Sequence, residues 1–232
     1  MQHPVEKFPD SATLAAELAS RIGHLLADAT TVRGRASLAV SGGSTPIPLF
    51  ERLAHLDIPW EQVVITLVDE RWVEPTSTDS NEHLVRTHLL RDRAARATFI
   101  GLKNQSLRAR DGETGCEEHQ NLVPRPFDVL VLGMGSDGHT ASLFPGADTL
   151  AAATDMLSGR HCIAVTPVAA AHERMTLTLP TILDSHQIFL HITGQEKYRV
   201  LEKALAEGPA GEMPIRYILR QNLTPVTICW AP

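Results

Sequence analysis

The chain has 232 residues, 43% of them hydrophobic, and a formal net charge of −6 with no long run of either sign. The length suits one domain with a sizeable core, and the charge excludes a general binder of nucleic acid or of anionic membranes. No stretch approaches the roughly 20 apolar residues that cross a bilayer, and MQHPVEKFPDS lacks the basic-then-apolar order of a secretory signal. The three cysteines, Cys116, Cys162 and Cys229, are far apart and form no CxxC pair. They predict small buried residues in a cytoplasmic protein, with neither a disulfide framework nor a zinc ribbon.

Along the chain, apolar residues at helical spacing (Leu14, Leu18, Ile22, Leu25, Leu26) predict a helix over 11–29 with Ser11 as its N-cap. ASLAVS (36–41) reads as a buried strand ending at Gly42-Gly43, and PIPLFERLAHL (46–56) as a helix with Pro46 in its first turn. VVITLVDE (63–70) is a second strand, NEHLVRTHLL (81–90) a helix, and TFIGL (98–102) a weaker apolar patch. Residues 103–126 are the most polar segment, a small insertion on the sheet rather than a domain boundary, with 112–122 an exposed amphipathic helix. FDVLVLG (127–133), HCIAVT (161–166), IFLHIT (188–193) and PVTICW (225–230) are further strands, and QEKYRVLEKAL (195–205) is a helix. Apolar strands alternating with helices predict a single Rossmann-like α/β domain over 1–232, its mostly parallel sheet covered on both faces.

In such sheets ligands bind beyond the carboxyl ends of the strands. Four chemically interesting clusters follow strands: SGGSTP, DERW, GMGSDGH and TGQEK. In the third, Gly133-x-Gly135-x-x-Gly138 has the spacing of a dinucleotide fingerprint. However, Pro145-Gly146 interrupts any helix within two turns, and the next strand ends in Thr166-Pro167 with no acid for a ribose. The glycines instead let the backbone turn sharply beside a ligand, which leaves His139 at the mouth of the sheet. A histidine, with an ordinary pKa of about 6.5, can take and return a proton near neutrality. Asp137 can orient its ring or bind a hydroxyl. The same residues also suit a plain turn in which His139 only packs.

Gly42, Gly43, Ser44 and Thr45 place free amides and two hydroxyls before a helix, the makings of an anion site. A Gly-rich turn with an N-cap would look the same. The loop lacks the GK[ST] ending of a nucleotide-binding P-loop, which favours a small phosphate ester over ATP. Arg71 can hold an oxyanion or phosphate by two parallel hydrogen bonds, and Asp69 can accept from sugar hydroxyls. An ion pair at a strand end is the plainer reading of both. Arg174 and Lys197 are isolated cations near element ends, either solvated charges or parts of a phosphate cradle. No HExxH, clustered Cys/His or EF-hand loop is present, so the sequence predicts chemistry without a metal or cofactor.

In order, SGGSTP, VDERWV with DSN (79–81), LGMGSDGHTASLFPG, RMTLTLP and TGQEKYRVLEKAL resemble the glucosamine-6-phosphate isomerase/6-phosphogluconolactonase family over about 41–205. On the lactonase side, the resemblance implies hydrolysis of 6-phospho-D-glucono-1,5-lactone. His139 would act as general base and Arg71 as oxyanion partner, with Asp69 and Asp137 in support. Gly42, Gly43, Ser44, Thr45, Arg174 and Lys197 would hold the phosphate. The family's deaminases carry an acid just before Pro-Gly; Phe144 stands there in this chain and favours the lactonase. Lactonases of this kind often continue a few residues past the last strand, whereas this sequence ends at CWAP. The implied partner is a small sugar-phosphate lactone, with neither nucleic acid nor membrane, and the implied state a monomer or small homo-oligomer. A deaminase on the same fold and a non-catalytic sugar-phosphate sensor are the rival readings.

Overall fold

The computed structural model describes residues 3–167 and 171–232. In chain order the elements are β1 (Val5–Lys7), α1 (Ser11–Arg33), β2 (Ala36–Val40), α2 (Ile47–Ala54), β3 (Val63–Leu67) and β4 (Asp69–Arg71). Then come α3 (Asn81–His88), β5 (Thr98–Ile100), α4 (Glu113–Gln120), β6 (Val129–Leu132), α5 (Leu150–Ala153) and β7 (Cys162–Val165). The chain closes with β8 (Arg174–Leu177), α6 (Leu179–Leu183), β9 (Ile188–Thr193), α7 (Gln195–Leu205), α8 (Ile215–Leu219) and β10 (Val226–Ala231). The expected α/β architecture is present. β2 and β6 are buried at every position, which an apolar strand requires when helices cover both faces of its sheet.

The main sheet has seven strands in the order β1-β10-β9-β6-β2-β3-β5, all paired in parallel. From β2 the chain moves outward to β3 and β5, then returns to lay β6 on the other side of β2 and continues to β9 and β10. The boundary between β2 and β6 is therefore a topological switch point, where loops diverge and open a crevice. β9, β6, β2 and β3 are consecutive neighbours, so the segments that follow them are gathered at one end of the sheet.

Several sequence expectations are corrected. The run 63–70 is two strands: Val68 donates to the carbonyl of Val40 in the main sheet, and its own carbonyl accepts from Leu177 in a second sheet. That sheet, antiparallel in the order β4-β8-β7, carries Arg71 opposite Arg174. In the sequence, the charged run Asp69–Arg71 reads as the polar end of one strand rather than as a strand of its own. Asp10, not Ser11, caps α1, accepting from the amide of Thr13 at 2.7 Å, and the helix runs on until Gly34 adopts φ 70°. The helix at 113–120 is docked rather than free. Glu113 accepts from the amide of Ala164, and Glu117 from those of His161 and Cys162, so two carboxylates satisfy amides of β7. Cys116 is one of the buried residues of that helix, and all three cysteines are buried and free. Among the described residues no helix is long and apolar enough to cross a membrane.

Candidate active site

A cavity of about 330 Å³ lies over the switch point. It is lined by the loop after β2 (Ser41–Pro46), Asp69 and Arg71 of β4, Asn81 of α3, residues 131–135 and 139–141, His191 and Ile192 of β9, and Lys197 of α7. Each lining segment lies at or just beyond the carboxyl end of a strand, or at the start of the helix that follows it.

Among the described residues, the amides of Gly42, Gly43, Ser44 and Thr45 donate to no protein acceptor. Four unused donors ahead of a helix, with Lys197 lining the same cavity, are a donor set suited to an anion. The close approach of α3 explains the first glycine: a Cβ at Gly42 would lie 1.9 Å from the Asn81 side-chain oxygen.

The His139 loop is fixed from several sides. The amide of Gly133 donates to Ser41 Oγ, and its carbonyl accepts from Thr140 Oγ1 at 2.8 Å. The amide of Gly135 donates to the carbonyl of His139, and the carbonyl of Gly138 accepts from Ile215. A Cβ at Gly135 would lie 2.2 Å from the His139 ring, so only glycine lets the ring take this position. His139 Nδ1 is 2.5 Å from Asp137 Oδ1, which also accepts from the His139 amide. Partial burial raises the Asp137 pKa, but the two hydrogen bonds from His139 outweigh it and bring the group down to about 2. An ionised carboxylate only accepts, so Nδ1 carries the proton and Nε2 of the neutral ring keeps its lone pair. Phe144 packs on the other side of the ring, 4.4 Å between centroids.

On the facing wall, Asp69 Oδ2 accepts from Ser142 Oγ at 2.6 Å. Glu70, fully buried, collects four hydrogen bonds, from the amides of Arg71, Asn81 and Glu82 and from Ser80 Oγ. Burial pushes its pKa up to about 7 against the pull of those donors. Arg71 Nη1 donates to Asn81 Oδ1 and to the carbonyl of Asp79.

Of the residues expected from the sequence, His139, Arg71, Asp69, Gly42, Gly43, Ser44, Thr45 and Lys197 share this cavity. Asp137 stands behind His139. Arg174 is not in the lining: it faces Arg71 across the β4–β8 ladder, half-buried, with Nε unpartnered among the described residues. Burial, and then the charge of Arg71, lower its pKa. The arrangement joins a proton acceptor, a guanidinium and an anion site in one cavity, the parts needed to hydrolyse an anionic ester. Among the described residues no cluster of three or more His, Cys, Asp or Glu suits a metal ion.

The sequence pattern of the glucosamine-6-phosphate isomerases/6-phosphogluconolactonase family matches residues 9–229. The chain belongs to this family. The 6-phosphogluconolactonase of Rhizobium meliloti is 43% identical over 225 residues, 97% of each chain. That of Pseudomonas aeruginosa is 41% identical over 219 residues, 94% of this chain and 89% of that one. The crystal structure of a 6-phosphogluconolactonase from Shewanella baltica superposes with a TM-score of 0.97 at 45% identity, covering 100% of this chain and 98% of that one.

Sequence reasoning passed over Ser41, Asn81, Ser142 and His191. Ser41, Asn81 and His191 line the cavity, and Ser142 holds Asp69. The motif DSN contained Asn81 and LFPG lay beside Ser142, yet nothing in either stretch shows which strand end it meets. His191 sits in an apolar strand, where the pattern reads it as core.

Proposed function

We infer that this family member hydrolyses 6-phospho-D-glucono-1,5-lactone to 6-phospho-D-gluconate. The observation that carries the reading is the placing of the His139–Asp137 pair, Arg71 and the free amides of 42–45 around one cavity. Relatives of nearly the same length named 6-phosphogluconolactonase support the substrate.

The amides of Gly42, Gly43, Ser44 and Thr45, with Lys197, hold the 6-phosphate. Arg174 adds positive charge beside Arg71. Anchoring the unreactive phosphate sets the lactone carbonyl in place and removes much of the entropic cost of orienting it. His139 Nε2 accepts a proton from water as the water oxygen attacks C1. Asp137 steadies the imidazolium that forms. The tetrahedral oxyanion is met by Arg71, and a single such donor is commonly worth about 3–4 kcal/mol. Collapse breaks the bond from C1 to the ring oxygen, and His139 returns its proton to that oxygen, leaving a carboxylic acid and a free hydroxyl. Asp69, one oxygen held by Ser142, accepts from a substrate hydroxyl with the other. The apolar Phe144 at the His139 ring supplies no second proton donor, which suits a hydrolysis whose only proton carrier is His139.

The test is turnover of freshly prepared lactone measured above its spontaneous hydrolysis. The parent protein should be active, and His139→Ala should lose roughly a hundred- to ten-thousand-fold in kcat with the fold intact. An unchanged kcat would remove His139 from the chemistry, and no turnover by the parent protein would remove the lactonase reading.

A further inference from the structure

Asn81 has no assigned part in the reaction, yet three walls of the cavity meet at it. It is 2% exposed, and its amide group is used at both ends: Oδ1 accepts from Arg71 Nη1 at 2.7 Å, and Nδ2 donates to the backbone carbonyl of Asp69 at 2.8 Å. One orientation of the amide satisfies both contacts, because the guanidinium only donates and the carbonyl only accepts. Its backbone amide donates to Glu70 Oε1 at 2.7 Å, and that same oxygen takes the amide of Arg71 at 2.8 Å. Its side chain also fills the space where a Cβ on Gly42 would stand.

The consequence falls on Arg71. Nη1 uses both its protons on protein, one on Asn81 and one on the carbonyl of Asp79. Among the described residues, Nε and Nη2 donate to nothing. Fixing Nη1 from two directions fixes the plane of the whole guanidinium and leaves the Nε–Nη2 edge, the one suited to paired hydrogen bonds, unoccupied. We propose that Asn81 is a positioning residue that aims this edge of Arg71 at the reacting carbonyl and joins β4 to the glycine loop. Aspartate would set an acceptor against the Asp69 carbonyl, and serine is too short to span both contacts; an amide alone supplies an acceptor and a donor at this separation.

The proposal rests on Arg71 as the partner of the oxyanion, and a double-mutant cycle separates the two. Asn81→Ala, Arg71→Ala and the double variant are assayed for kcat and KM on fresh lactone. Asn81→Ala should lower kcat by about tenfold to a hundredfold, the scale expected of a misplaced catalytic group, with KM little changed. In the Arg71→Ala background it should cost nothing further, because the group it aims is gone. If the two losses multiply, or if Asn81→Ala leaves kcat intact while Arg71→Ala abolishes it, Asn81 does not act through Arg71 and only the present proposal fails. A silent Arg71→Ala removes the oxyanion reading as well. Should Asn81→Ala not fold, Asn81→Asp, which keeps the acceptor for Nη1, is read in its place. Because it sets an acceptor against the Asp69 carbonyl, it should lower kcat in the parent protein and cost nothing further in the Arg71→Ala background; an unchanged kcat, or losses that multiply, would overturn the proposal.

Discussion

Lys197 enters the cavity from the first turn of α7, three residues after Gly194 turns the chain out of β9 with φ 88°. In the proposed reaction this cation meets the same phosphate as the free amides of 42–45, so its removal should act on binding. Lys197→Ala should raise KM about tenfold, the equivalent of about 1.4 kcal/mol, with kcat nearly unchanged. Arg174→Ala makes a sharper comparison, because that side chain lies beside Arg71 and outside the lining. A raised KM would place it with the phosphate, whereas an unchanged KM with a lowered kcat would make it a partner of Arg71. Phe144 belongs to the same scale. Its ring against His139 became visible only when a four-residue turn brought two positions of one loop face to face.

At the scale of elements, the site depends on how strand ends are tied to the helices that follow. Glu70 does this for β4 and α3, since its two oxygens take three backbone amides and a serine hydroxyl. Every neighbour is a donor, so a side chain that must itself donate is mismatched. Glu70→Gln should therefore destabilise the fold by about 2–3 kcal/mol, the scale of leaving a buried donor unpaired. Urea unfolding at pH 8 measures this, and a change near zero would mean that the carboxyl is neutral in the native protein. Arg216 makes a second tie. Its buried guanidinium donates to the carbonyls of Lys203 and Ala204 at the end of α7 and to that of Pro209, while the neighbouring amide of Ile215 holds the His139 loop through Gly138. The sequence shows only an arginine between two apolar residues.

For the molecule as a whole, acid is the informative perturbation. His191 is 3% exposed, and burial alone brings its pKa from 6.5 to about 4. As pH falls below 6.5 the unfolded chain takes up this proton first, so stability declines between pH 6.5 and 4, by on the order of 3 kcal/mol from this one group. His191→Phe should flatten the decline, measured as the difference in unfolding free energy between pH 7 and 4.5. An equal decline in both proteins would show that the ring takes up its proton at the same pH in the native and unfolded states. Asp137 works in the same sense at lower pH. Its stabilising contribution is complete above its ordinary 3.8 and disappears as pH falls through about 2, so it stays ionised wherever His139 is in use.

The amino-acid sequence by itself determined the alternation of buried strands and helices, because apolar periodicity is a property of neighbouring residues. It also placed SGGSTP, DERW, GMGSDGH and TGQEK at strand ends, and it excluded the dinucleotide reading through Pro145-Gly146. It could not show that the strand after Val63 changes sheets at Val68, because the charged run Asp69–Arg71 reads equally as the polar end of one strand. Nor could it join Asn81 to Arg71, Ser142 to Asp69 across 73 positions, or Phe144 to His139. Those contacts follow from strand order. β2 and β6 become neighbours only after the chain has gone out to β5 and returned, and that return gathers the four clusters around one cavity.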